Sequence, residues 1–307
     1  MNKKITATLL VCIFSLSISY LVGAYNFSNQ IWPIKELIKI KRLIKPSQSI
    51  VTGVSFSNET PLPRLISFPD KKEISCPSQT GKTLVLLTIG QSNTGNHAGQ
   101  RYVSEYEDKV VNYFGNKCFI ASSPLLGTTG TGGESWTLLG NKLVASGLAD
   151  RVVLVPAGIG GSSISQWKKG GDLNKMLLSV LDEIKPHYQI THILWHQGES
   201  DFGLGTSKND YVNMFYSMID TIHSKGVNAP IYPSIATKCG INPSWTPENQ
   251  IAIAQKTLED KTRIIFHGVD TDTMLGFLDR QGDDCHFSGT GQEKFASAWV
   301  EVLKTAH

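Results

Sequence analysis

No two cysteines in these 307 residues are close enough to begin a zinc-binding pattern; the five, at Cys12, Cys76, Cys118, Cys239 and Cys285, are scattered. No G-x-x-x-x-G-K-[ST] run occurs, which excludes a phosphate loop, and the Gly-rich stretch GIGGSS, residues 158–163, lacks the spacing and acidic partner of a dinucleotide fingerprint. Internal repeats and low-complexity tracts are also absent, so solenoids and fibrous folds fall away. Charge is modest: Asp, Glu, Lys and Arg make up 18% of the chain against 40% hydrophobic residues, a balance that excludes intrinsic disorder. What remains is an ordinary globular protein, long enough for one large core.

The formal charge of +3 is unevenly placed. Residues 1–45 carry seven Lys/Arg against the single Glu36, whereas the rest carries 22 against 25 Asp/Glu. The body is therefore mildly acidic, and no basic face for nucleic acid is expected. Lys3 and Lys4 precede an uncharged apolar run over residues 5–24, which reads as a signal peptide with a cleavage site after Ala24 or as an uncleaved membrane anchor. The following segment places Ile34, Leu37, Ile38 and Ile44 mostly on one helical face, with Lys35, Lys39, Arg42 and Lys45 largely elsewhere. Such a helix lies on an anionic membrane surface or packs on the domain. Residues 1–24 are thus expected as signal or anchor, 25–79 as basic amphipathic segment and linker, and 80–307 as the folded domain. The chain is expected to be exported, facing the periplasm or the exterior. In that compartment Cys76, Cys118, Cys239 and Cys285 form two disulfides, for which three pairings exist; Cys239 with Cys285 is favoured because both follow C-terminal strands, leaving Cys76 with Cys118. Reduced, buried cysteines are the alternative.

From residue 82 onward, β-rich apolar runs alternate with helical patterns. Strands are expected at 83–89, 152–156, 192–195, 231–235 and 264–269, and helices at 172–185, 208–225, 247–261 and 291–305. Continuous runs such as TLVLLTI suit strands buried on both faces, so the expected fold is α/β: a three-layer α/β/α sandwich around a central parallel sheet. Ligands of such sheets bind beyond the carboxyl ends of the strands. The segments found there are Gly90-Gln91-Ser92-Asn93, GIGGSS, His196-Gln197-Gly198-Glu199-Ser200-Asp201 and Asp283-Asp284-Cys285-His286.

Ser92 does not sit in a G-x-S-x-G elbow, so the α/β-hydrolase fold is disfavoured. A serine hydroxyl needs a base, and His286 has Asp283 three residues earlier on the same loop to orient it, with the adjacent Asp284 as a rival. A competing reading takes the stretch after His286 as a helix start, with Thr290 as N-cap and Glu293 closing a capping box. Oxyanion donors are sought in the Ser92 N–H, an N–H of the Gly160-Gly161 turn and the Gln197 side-chain amide. Glu199 and Asp201, two residues apart on one short loop, do not flank a sugar ring as paired glycosidase carboxylates must.

These four ordered motifs resemble the SGNH (GDSL-like) hydrolases, a fold of flavodoxin-like type, and within them the branch of sialate O-acetylesterases and sixth-family acetylxylan esterases. The blocks are G-Q-S-N at Gly90 to Asn93, the turn Gly160-Gly161-Ser162 followed by Trp167, W-x-Q-G-E-S-D from Trp195 to Asp201, and D-x-x-H from Asp283 to His286, over residues 83–303 in all. The resemblance implies Ser92 as nucleophile, His286 as base and then acid, Asp283 as its orienter, and Ser92, Gly161 and Gln197 as the oxyanion hole. Gln91, Asn93, Trp167 and Glu199 are implied as substrate-binding or supporting residues, with residues 202–206 beside Trp167 in a sugar cleft or, alternatively, in the core. It also implies an O-acetylated carbohydrate substrate, an acetyl-serine intermediate and no metal or organic cofactor. The same acyl-serine would serve an envelope glycan O-acetyltransferase, and a non-catalytic carbohydrate-binding protein is the remaining alternative.

Overall fold

A computed structural model describes residues 55–56 and 63–305. The apolar run at 5–24 and the basic amphipathic segment lie outside the described residues; among those described, no helix is long and apolar enough to cross a membrane. Among the described residues nine strands occur: β1 (Ser55–Phe56), β2 (Leu65–Ser67), β3 (Glu73–Ile74), β4 (Thr83–Gly90), β5 (Val110–Phe114), β6 (Lys117–Ile120), β7 (Arg151–Pro156), β8 (His192–His196) and β9 (Ile231–Pro233). The α-helices are α1 (Trp136–Ala145), α2 (Ile164–Trp167), α3 (Asp172–Ile184), α4 (Glu199–Leu204), α5 (Lys208–Ser224), α6 (Gln250–Lys256), α7 (Thr271–Met274) and α8 (Gly289–Lys304).

β1 and β2 form a two-stranded ribbon, and the other seven strands form one sheet in the order β3-β6-β5-β7-β4-β8-β9. Strand alternation divides the core into two layers. Val85, Leu87, Ile89, Val153, Val155, Ile193 and Trp195 face α3, α5 and α6 through Leu177, Leu181, Phe215, Met218 and Ile251. Leu84, Leu86, Val152, Leu154 and Leu194 face α1 and α8 through Trp136, Leu139, Leu143, Phe295, Trp299 and Leu303. Each such side chain contributes roughly 1.5–3 kcal/mol on burial. The α/β/α sandwich is therefore the fold, as the alternating pattern predicts.

The sheet is mixed rather than wholly parallel: β5, β7, β4, β8 and β9 run parallel, while β6 opposes both β5 and β3. The β5-β6 hairpin turns through Gly115 and Asn116, both at positive φ (62° and 59°), the backbone that a tight hairpin requires. Residues 65–79 do not behave as a linker. Leu65 is fully buried, with its N–H on Thr128 O and its carbonyl on Gly127 N–H, β3 extends the sheet, and Cys76 is bonded to Cys118. Cys239 is bonded to Cys285, so both disulfides pair as favoured.

The expected strand at 264–269 is only a set of isolated bridges beside β9, because Ile264 adopts a left-handed φ of 54° after a 3-10 turn at Lys261–Arg263. The expected helix at 247–261 shortens to α6, whose start is set by Asn249 accepting the N–H groups of Ile251 and Ala252. The last helix is capped by Ser288, which accepts Gly291 N–H at 3.4 Å, not by Thr290. Thr290 Oγ1 instead donates to Leu278 O, and Glu293 pairs with Lys142.

Candidate active site

β4 lies inside the sheet with β7 on one side and β8 on the other, so the loops leaving these three carboxyl ends meet above it. The chain turns sharply at Gly90, whose φ is 137° and where a Cβ would stand 2.1 Å from His196 O; only glycine fits. Gln91 N–H then bonds to His196 O, and a single 3-10 turn presents Ser92. Gln91 is itself buried, its Oε1 accepting Ser200 N–H at 3.1 Å and Gly198 N–H at 3.4 Å. It joins the loops after β4 and β8.

A cavity of about 680 Å³ opens at this junction, lined among others by Ser92, His97, Thr129, Gly161, Glu199 and His286. That size suits a small-molecule or sugar ligand. Gly161 lines the cavity, with φ 68° and open space where a side chain would stand. Neither Ser92 N–H nor Gly161 N–H has a hydrogen-bond partner among the described residues, whereas Gly160 N–H is taken by Thr129 Oγ1 at 2.8 Å. Of the two N–H groups of the Gly160-Gly161 turn, that of Gly161 is thus the one without a partner among the described residues.

His286 enters from the loop before α8. Its Nδ1 is 2.6 Å from Asp283 Oδ2, and Asp283 Oδ1 accepts the N–H groups of Cys285 (2.9 Å) and His286 (3.0 Å). Burial would raise the Asp283 carboxyl, but the His286 hydrogen bond and the backbone donors outweigh it and bring the group down to about 2. Asp284 is buried at φ 56° with its carbonyl accepting Gly240 N–H, and the carboxylate bonded to His286 is that of Asp283. Ser92 Oγ and His286 line one cavity without a hydrogen bond between them.

Asn93, buried behind the serine, donates from Nδ2 to Glu199 Oε1 at 3.1 Å and to Cys285 O at 3.4 Å, and accepts Phe287 N–H at 3.2 Å. Both backbone contacts flank His286 in sequence. Arg280, also buried, donates to Cys285 O at 2.7 Å and to Lys238 O at 3.1 Å.

Besides Asn93 and Asp283, two further sequence-predicted residues, Gln197 and Trp167, are not on the cavity wall. Gln197 is fully buried, and its amide nitrogen is occupied by Asp201 Oδ2 (2.5 Å), Ser162 O (3.0 Å) and Gln91 Oε1 (3.3 Å). A carboxamide whose protons are so committed has none left for a ligand. Trp167 is equally buried, donating to Ser162 Oγ at 2.9 Å and meeting Trp195 edge to face. Both brace the turn that carries Gly161 from behind. Burial pushes the Asp201 carboxyl up, while bonds from Ile164 N–H, Thr206 and Gln197 restrain it. Residues 202–206 likewise fall outside the cavity lining.

His97 and Thr129 line the cavity but belong to none of the four motifs. The only sequence signal for His97 is a titratable residue in the turn after the serine; Thr129 comes from a Gly/Thr-rich loop with no signal of its own. Among the described residues no group of three or more His, Cys, Asp or Glu is placed to hold a metal ion.

Residues 82–304 match the family described as carbohydrate esterase, sialic acid-specific acetylesterase. No curated protein sequence matches the chain. Among solved structures, a protein of Arabidopsis thaliana is similar at 18% identity and a TM-score of 0.58, covering 73% of this chain and 98% of its own. A GDSL-like lipase candidate from Parabacteroides merdae is similar at 15% identity and 0.50, covering 74% and 99%. A variant of an acetyl xylan esterase from Geobacillus stearothermophilus has 15% identity and 0.44, covering 74% and 96%.

Proposed function

Because this chain belongs to the sialic acid-specific acetylesterase family of carbohydrate esterases and is a carboxylic ester hydrolase, we propose that it removes acetyl groups from a glycan with Ser92 as nucleophile. Ser92 Oγ attacks the acetyl carbon while its proton passes to His286 Nε2, and Asp283 holds the Nδ1 side of the ring and stabilises the imidazolium. The carbonyl electron pair moves onto oxygen, towards the N–H groups of Ser92 and Gly161; such donors commonly supply about 3 kcal/mol each. Collapse expels the sugar hydroxyl, protonated by His286, and leaves acetyl-Ser92. Water then attacks under His286 base catalysis and releases acetate.

The observation that carries this reading is the convergence on one cavity of Ser92, His286 and two backbone N–H groups without partners among the described residues. Gln197 and Trp167 act on the reaction through the Ser162 turn, and Glu199 through Asn93. The two disulfides support an oxidising, exported setting for the domain, with residues 1–24 as signal or anchor.

The test is acetate release by the full chain and by Ser92→Ala from an activated acetyl ester and from acetylated sialic acid, xylan and peptidoglycan fragments. Release lost in Ser92→Ala is expected. Undiminished release by that variant excludes the serine, and new sugar esters in place of acetate identify a transferase.

A further inference from the structure

His97 follows the nucleophile by five residues and shares its cavity. Its ring lies stacked on that of His286, with centroids 5.4 Å apart and planes inclined by 22°. Its Nε2 is 3.0 Å from Thr129 Oγ1, the oxygen that accepts Gly160 N–H. Its carbonyl accepts Gln281 Nε2 at 2.8 Å, and Gln281 N–H in turn bonds to His286 O at 2.7 Å. One residue therefore touches the proposed base and, through Thr129, the turn next to Gly161. The approach is close: a Cβ on Gly160 would stand 3.1 Å from His97 Nε2.

The protonation state follows from the surroundings. Thr129 Oγ1 has two lone pairs and one proton, so beside the Gly160 N–H that it accepts it can exchange a hydrogen bond with the neutral His97 ring in either direction. Burial and the adjacent His286 push His97 down to about 4, against a smaller upward pull from Asp283. At neutral pH, His286 thus has a carboxylate on its Nδ1 side and an uncharged aromatic face against its ring. Glu199 on the cavity wall and Arg280 beneath Phe287 are the other charged groups nearby.

We propose that His97 is a positioning residue for His286: its π face stabilises the imidazolium that His286 becomes while it holds the serine proton, and its Nε2 fixes the Thr129 to Gly160 turn beside Gly161. The inference rests on the serine esterase reading above. A cation over an aromatic face within about 6 Å is attracted to the ring quadrupole. The benefit exists only after proton transfer, so it lowers the barrier rather than tightening the ground state. A protonated ring at position 97 would instead set like charges face to face.

Two variants separate the parts. His97→Phe keeps an aromatic face and loses the Thr129 bond; His97→Leu also excludes water but has no π face. The full chain and both variants are assayed with 4-nitrophenyl acetate, and histidine ring titrations are followed by NMR. The expected result is a kcat about two- to fivefold lower in His97→Leu than in His97→Phe at similar KM. The His286 midpoint should lie about 0.3–0.7 pH unit lower in the Leu variant. In the unsubstituted chain, His97 should titrate well below the ordinary histidine range, at about 4, a measurement independent of any variant's folding. Equal His286 midpoints in the two variants, or His97 titrating in the ordinary histidine range in the unsubstituted chain, overturns the proposal. No acetate release by the unsubstituted chain would count against the esterase reading alone, since the titrations still decide the stacking.

Discussion

The side-chain amide of Asn93 donates to Glu199 Oε1 at 3.1 Å, one buried polar group held by another 106 positions away in sequence. Through its remaining contacts, to Cys285 O and from Phe287 N–H, Asn93 ties the turn bearing Ser92 to the loop bearing His286. Asn93→Ala leaves a buried carboxylate oxygen and a backbone N–H unpaired, which costs about 1–3 kcal/mol each. We expect a lower Tm and a kcat reduced about tenfold or more with little change in KM. Steady-state kinetics beside thermal denaturation check this, and an unchanged kcat removes the coupling role.

Trp167 tests whether the second motif contacts sugar. Its ring is fully buried against Trp195, so Trp167→Ala should cost about 3–5 kcal/mol of stability, as other buried Trp truncations do. Denaturant unfolding measures the loss. A sugar platform would instead raise KM and leave stability intact.

The two disulfides should separate by function. Each closes a loop of comparable length, 42 and 46 residues, and each is expected to contribute about 4 kcal/mol. Cys285 directly precedes His286, and Cys239 and Cys285 both line the cavity, whereas Cys76 and Cys118 do not. Replacing the 239/285 pair with Ser should lower both Tm and kcat, while replacing 76/118 should lower Tm alone. Equal kcat in the two double variants would count against this division.

Asp283 sets an acid limit on stability. Its carboxyl lies at about 2 in the folded chain against an ordinary 3.8, so the folded state binds fewer protons between those values. The associated stability is complete above pH 4 and is lost as the pH falls through 2. Asp283→Asn should flatten Tm against pH over that window and, by analogy with other triads, reduce kcat about 10²- to 10⁴-fold at neutral pH. Retention of the acid-dependent loss in this variant would assign it to another group.

Much of this was legible in sequence because it is periodic or local. Runs such as TLVLLTI mark strands buried on both faces, the alternation with helices sets the layers, and Asp283 and His286 meet because three residues on one loop can close a hydrogen bond. The β5-β6 hairpin is harder to read: Asn112 interrupts its apolar pattern, yet it lies buried with Oδ1 on Leu126 N–H.

The sequence by itself determines the layers, the strand ends and the residue types brought there. Only the tertiary structure decides which way those residues face, because a buried polar group turns toward whatever partner satisfies it, and that partner is distant in sequence. Gln197 turns inward to Asp201 and Ser162, and Trp167 to Ser162, leaving the cavity wall to backbone at Gly161. His97 reaches His286, 189 positions later, only because the loops after β4 and before α8 fold over the same sheet edge.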